Sequence, residues 1–313
     1  MTLPLTSPLT LTEQRSLQWE QSAQERAYLI LDADQGYLQA LYARQPDVRA
    51  QQLLKGTQYE AIADIGPWIL DVTDSVALIE QLEAERVQGI VRRQILITAS
   101  LSKEQLIAFC QNRLFIGFGQ QRLGFFRYYD PRVIHELLRV QAAQQTTSWC
   151  AALTRILWFH EPPWSHDTGD GRWMCLHNPL QVPDRQWETY RLTPAEEEAL
   201  GKQQSEQFLA QQLESRELGS TQARLAWWQF YQPCLLAAEQ RGITSDAGLG
   251  HYLRLCEACQ GDAIATYHAQ TGLGLPPREA QKLTVLSAWY VRLDQACDAA
   301  LGSDPESPSQ RGC

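Results

Sequence analysis

Lysine is scarce in this 313-residue sequence: only Lys55, Lys103, Lys202 and Lys282 occur, so nearly all of its positive charge sits on arginine. Acids still outnumber bases, 36 to 27, for a formal net charge of -9. Such a chain lacks the clustered positive charge that nucleic acid or an anionic membrane surface requires, and neither is expected as a partner. Long apolar runs are also missing; nothing approaches the roughly 18 consecutive apolar residues of a spanning helix. The opening MTLPLTSPLTLTEQ has neither a basic n-region nor an uninterrupted apolar stretch, so no leader is expected and the cytosol is the expected compartment. No G-x-S-x-G elbow, H-E-x-x-H, Walker A or kinase set occurs, and no cofactor is expected. Eight cysteines (110, 150, 175, 234, 256, 259, 297, 313) fit no framework spacing and are read as reduced, mostly buried small hydrophobes.

What remains is the composition of a folded protein, 44% hydrophobic and 20% charged, with length for two modest cores. Its arginines suit bidentate and stacked contacts at protein interfaces. Residues 1–26 read as an N-terminal extension, with one amphipathic helical piece at TEQRSLQWEQSAQ. AYLILDAD (27–34) reads as a strand buried on both faces and ending in acids, and YLQALYAR (37–44) as the helix it feeds. TQYEAIADIGPWILDVT (57–73) mixes aromatic and β-branched residues around Gly66-Pro67. DSVALIEQLEAER (74–86) predicts a helix capped by Asp74 or Ser75, and GIVRRQILITAS (89–100) a strand. ASLSKEQLIAFCQNRL predicts a helix opened by Ser100 or Ser102 with a capping box. FIGFGQQRLGFFRYYD (115–130) predicts two strands joined at Gln120-Gln121, running into Asp130-Pro131, an N-cap and first-turn pair for a helix over 132–144.

RILWF and RWMCL predict a hairpin around a polar tip, HDTGDGRW (166–173). From about 190 the chain turns to long helical patterns: 193–218, 223–242, 245–272 and 276–301. The fold class expected is therefore α+β or α/β: a mixed N-terminal domain (27–190) with a small sheet flanked by helices, then an all-helical domain (191–301) and a disordered tail (302–313).

Three constellations have plain readings beside their sharper ones. Cys256 and Cys259 form a lone CxxC flanked by His251 and His268, which would allow a metal-binding or hydrolytic enzyme; helical spacing favours both thiols as packing residues. The acids of HDTGDGRW lack the bidentate Glu of a calcium loop. Gly117, Gly119 and Gly124 are followed by no helix whose dipole could hold phosphate. The run Trp227-Trp228-Gln229-Phe230-Tyr231 spans too wide an arc for one buried stripe, unless its helix is buried on all sides.

FFRYYDPRVIHELL (125–138) resembles the Phe-Arg-Phe-Tyr-Asp-Pro-Arg signature of the bacterial type VI secretion effector chaperones, or effector adaptors, with Tyr128 where Phe is more usual. AYLILDAD, KGTQYEAIADIGPWILDV and ASLSKEQLIAFCQNRL resemble that family's upstream blocks in the same order. The helical half, with EQRGITSDAGLGHYLRL, is similar to the variable C-terminal part of such proteins. The resemblance implies a cytoplasmic non-enzymatic chaperone or adaptor, with two protein partners: a toxic effector as cargo and the VgrG-type spike onto which it is loaded. Partner-binding residues are expected at Arg127, Tyr129, Asp130, Arg132 and Trp68 of the α/β half, the neighbourhood of Arg127, Asp130 and Arg132 serving as a shared recognition platform, and at Trp227, Trp228, Phe230 and Tyr231 of the helical half, which is expected to select the cargo. An immunity or scaffold protein is the remaining alternative.

Overall fold

The computed structural model describes residues 9–17, 25–32, 35–45, 47–88, 93–119, 122–144, 149–165, 170–179 and 187–302. In chain order the elements are strand β1 (Thr10–Gln14), β2 (Arg26–Leu31), helix α1 (Gln35–Arg44), β3 (Ala50–Gln52), a 3-10 turn (Glu60–Ile65) and β4 (Trp68–Asp71). There follow α2 (Val76–Val87), β5 (Gln94–Ala99), α3 (Lys103–Arg113), β6 (Phe115–Phe118), β7 (Arg122–Phe125), α4 (Pro131–Gln144), β8 (Arg155–His160), β9 (Arg172–His177) and β10 (Tyr190–Arg191). The remainder is helical: α5 (Pro194–Glu214), α6 (Thr221–Gln240), α7 (Asp246–Cys259), α8 (Ala263–Thr271) and α9 (Glu279–Gly302). The expected class holds, a mixed α/β part followed by helices. The chain divides into two compact units, 1–204 and 205–313.

The first unit is built on a seven-stranded sheet in the order β1-β9-β8-β5-β2-β4-β3, with every pairing antiparallel. Strand β2 shows why it closes in the middle. Ala27, Leu29 and Leu31 face one way, into a core with Tyr37, Leu38 and Leu41 of α1 and Leu78, Ile79 and Leu82 of α2. Tyr28 and Ile30 face the other, into a larger core with Leu106, Phe109 and Cys110 of α3 and Ile134, Leu137 and Leu138 of α4. Period-2 alternation thus serves two helical layers, and a strand apolar on both sides needs only helices on both faces. The predicted hairpin forms, Arg155 opposite His177 through His160 opposite Arg172. A second sheet, β10-β6-β7, pairs Phe115 with Phe125 and Phe118 with Arg122.

Local caps explain where the helices begin. Ser102 accepts from the Gln105 N–H while Gln105 reaches back to the Ser102 N–H, the predicted capping box. Ser75 occupies the N-cap of α2, but its side chain caps nothing, contrary to expectation. The helix expected at 12–24 is corrected: residues 10–14 form β1, paired with β9 from Thr10 opposite His177 to Gln14 opposite Trp173. Residues 18–24 of that expected helix, the Gln120-Gln121 turn, the hairpin tip at 166–169 and the tail from 303 lie outside the described residues.

In the second unit, Trp228, Tyr231, Leu235 and Ala238 form the buried stripe of α6, and Leu249, Tyr252, Leu253 and Cys256 that of α7. Ser220, Ser245 and Asp262 cap α6, α7 and α8 through their side chains. No helix among the described residues is long and apolar enough to cross a membrane.

Candidate interaction site

The segment after β7 alternates between core and surface, and that alternation builds the site. The Phe126 N–H donates to the Leu114 carbonyl at 2.7 Å, extending the hairpin by one rung. Phe126 and Tyr128 then turn inward onto the buried Trp149, with ring centroids 6.4 and 5.2 Å away. The Tyr128 hydroxyl donates to the Cys110 carbonyl at 3.2 Å. Arg127, between them, is left on the surface.

Asp130 ends the turn and starts α4. Its Oδ1 accepts the Arg132 backbone N–H at 3.0 Å, and Pro131 occupies the first helical position. The same carboxylate takes the Arg132 guanidinium in bidentate fashion, Nε to Oδ1 at 3.0 Å and a terminal nitrogen to Oδ2 at 2.7 Å. Arg93, just before β5, adds a second cation at this carboxylate, its Nε 3.8 Å from Oδ2. Arg127 donates to Asp32 at the end of β2, and its guanidinium lies 5.7 Å from the Tyr129 ring centre. The Asp32 N–H in turn donates to the Arg93 carbonyl, tying the two pairs together.

Burial alone would raise the Asp130 pKa, but hydrogen bonding and charge from Arg132 hold it below the usual carboxylate range. Burial, then the charge of Asp32, pushes the Tyr129 hydroxyl up to about 12. Near neutral pH, Asp130 stays ionised and Tyr129 stays protonated, so neither is poised for proton transfer. The cluster is arranged instead to present cations. The side chains of Arg93, Arg127 and Arg132 are 47%, 44% and 36% exposed, whereas those of Asp32 and Asp130 are 27% and 6% exposed. The carboxylates sit beneath and hold three guanidinium groups at the surface.

Arg127, Asp130 and Arg132 are brought together as the sequence suggests. Tyr129 lies against them but is 2% exposed, supporting Arg127 from below. Trp68 pairs with Leu31, next to Asp32, yet packs into the core layer of α1 and α2. Asp32 was visible only as the acidic end of a strand. Arg93 carried no local signal, since its role depends on β5 lying beside β2.

The aromatic run on α6 is less exposed than its spacing suggests. Trp228 and Tyr231 are core residues, 2% and 4% exposed. Trp227 and Phe230 are half-buried and pack on Tyr231, with ring centroids 4.3 and 4.8 Å away. Cys256 is buried and Cys259 half-buried on α7, while His251 bonds Ser287 of α9 at 2.7 Å. Among the described residues no group of three or more His, Cys, Asp or Glu has the geometry to hold a metal ion.

Comparison with curated proteins and with solved structures gives no match. A family model does: residues 27–148, from the first residue of β2's buried stretch to just past α4, match the domain of unknown function DUF4123. Asp32, Trp68, Arg93, Arg127, Tyr129, Asp130 and Arg132 all fall inside the matched region.

Proposed function

We propose that this chain is an adaptor of a bacterial type VI secretion system, a cytoplasmic chaperone that binds a toxic effector and promotes its loading onto a VgrG-type spike. It works by surface contact, without making or breaking covalent bonds. The observation that carries this reading is the Arg93/Arg127/Arg132 cluster. The FFRYYDPR segment, which resembles the adaptor signature, folds into a buried carboxylate base under exposed guanidinium groups, within the region matched by the DUF4123 model. The cluster belongs to the recognition platform, and the half-buried Trp227 and Phe230 to the cargo-selecting surface.

Co-expression with the toxin and spike proteins encoded beside it, followed by size-exclusion chromatography, tests the reading. A stable complex containing the toxin or the spike is expected, with interfaces of about 1,200 to 2,000 Å². Arg127→Glu is expected to weaken capture tenfold or more while leaving the fold intact, because its side chain is 44% exposed. Failure of any neighbour-encoded protein to co-elute would end the proposal, and capture of a toxin that never reaches the spike would favour an immunity protein.

A further inference from the structure

Strand β7 has a second property that the cluster does not use. It is the edge of the three-stranded sheet and pairs with β6 alone among the described residues. Antiparallel pairs alternate between hydrogen-bonded and non-bonded positions. The bond from the Phe126 N–H to the Leu114 carbonyl fixes the phase. Arg122 and Gly124 therefore point their backbone groups at β6, whereas those of Leu123 and Phe125 point away from it.

The outward-pointing pair also carries the exposed apolar side chains. Leu123 is 67% exposed and Phe125 is 43% exposed, on the same face of the strand. Phe125 meets Phe115 edge-on at 5.9 Å, and Tyr59, 36% exposed, stacks on Phe115 at 4.7 Å. Natural edge strands are normally protected by charge, proline or cover, and this one shows an apolar ladder instead. Arg122 begins the strand and, among the described residues, forms no ion pair; Arg127 follows its end at the cation cluster. The strand thus offers backbone donors and acceptors that meet no partner among the described residues, apolar alternation and a guanidinium at either end.

We propose that β7 is a docking edge that takes up an extended segment of a partner polypeptide as a fourth strand, with apolar residues at alternate positions and acidic residues near its ends. The acids would sit about 17 Å apart, the reach of five extended residues. Backbone hydrogen bonds supply affinity, and the Leu123/Phe125/Tyr59 surface reads alternate side chains. A second copy of this chain fits less well, since antiparallel pairing of two β7 strands would bring the arginine that starts one beside the arginine that follows the other. The inference rests on the reading of the chain as a partner-binding adaptor and names one surface it uses.

The probe is a fluorescein-labelled peptide of alternating valine and threonine with glutamate at each end, titrated into the full chain by fluorescence polarisation. Leu123→Pro removes one outward N–H and no bond to β6, and proline is tolerated at sheet edges. Saturable binding is expected, reduced at least tenfold by Leu123→Pro and by backbone N-methylation of every second peptide residue. If the proline variant does not fold, Leu123→Glu, which keeps the N–H but places a charge on the edge that repels the glutamates of the peptide, should show the same loss.

Equal binding to the folded variant, no binding at about millimolar peptide, or a wild-type dimer that Leu123→Pro makes monomeric would each overturn the proposal. In a complex with the co-expressed toxin or spike, amide exchange at Leu123 and Phe125 should slow. A complex that forms equally well with Leu123→Pro, without that protection, would overturn the docking edge and leave the adaptor reading standing. Peptide binding at the edge with no toxin or spike complex would do the reverse.

Discussion

Asp130 holds two roles in one side chain, and substitutions can separate them. Asp130→Ala removes both the cap of α4 and the counter-charge of Arg132, and is expected to cost about 1 to 2 kcal/mol in urea denaturation. Asp130→Asn can still accept the Arg132 N–H and should recover most of the cap while lacking the charge. A partner-binding loss shared by both variants then reports on the guanidinium platform, and one confined to Asp130→Ala reports on stability. A second residue-scale expectation concerns His135 and His160, whose rings stack at 3.6 Å with both Nδ1 atoms buried and without hydrogen-bond partners among the described residues. Burial, with the neighbouring charges of His160 and Arg139, holds His135 down at about 3; burial also lowers His160, opposed by Glu136 and Glu13. In the unfolded chain both titrate near about 6.5. The unfolded state therefore takes up protons first, and the stability present above that value is lost as pH falls towards 3. The urea midpoint should drop between pH 7 and pH 5, above the range where carboxylates protonate, and His135→Phe should flatten that slope; a flat wild-type profile would contradict this account. Asp130 was legible in the sequence because a cap and a following proline are local chemistry. The partners Asp32 and Arg93 were not, because they meet Arg127 and Asp130 only through strand pairing.

Among the elements, those with a full period were readable and those with half a period were not. Helix α4 buries Ile134, Leu137, Leu138 and Gln141, a complete stripe at helical spacing, and the sequence shows it plainly. Strand β1 is an edge whose half-buried residues, Leu11 and Gln14, lie on opposite faces, so it shows no clean alternation and its neighbouring polar residues read as a helix. Strand β10 is two residues long and carries no pattern of its own. On α6 the sequence shows apolar width but not which side is covered; only the packing separates core Trp228 from half-buried Trp227. Trp228→Ala is accordingly expected to cost about 3 to 5 kcal/mol, whereas Trp227→Ala should stay folded, a contrast that thermal melts will show. Deleting residues 1–17 should uncover the outer edge of β9 and the core contact of Leu9, lowering the melting temperature and raising light scattering through edge-to-edge association. An unchanged melt would mean that β1 adds nothing to the sheet.

For the molecule as a whole, the charge balance and the local cluster point in opposite directions. The chain is net negative, yet its candidate platform presents three guanidinium groups over two carboxylates. Attraction to an acidic partner is then short-ranged against a repelling background, so added salt should relieve the background as well as weaken the contact. Arg127→Glu should remove the attraction and leave the repulsion, so association of the variant should speed up with added salt where the wild type changes little or slows, measured by association rates across ionic strength. Pairing between β1 and β9 has a further consequence for how the protein is made. A ribosome releases residues 10–14 long before residues 172–177 exist, so the first strand must wait unpaired while the strands and helices between are synthesised. Stalled nascent chains ending before β9 should be cut by protease near their beginning, and chains extended past it should resist.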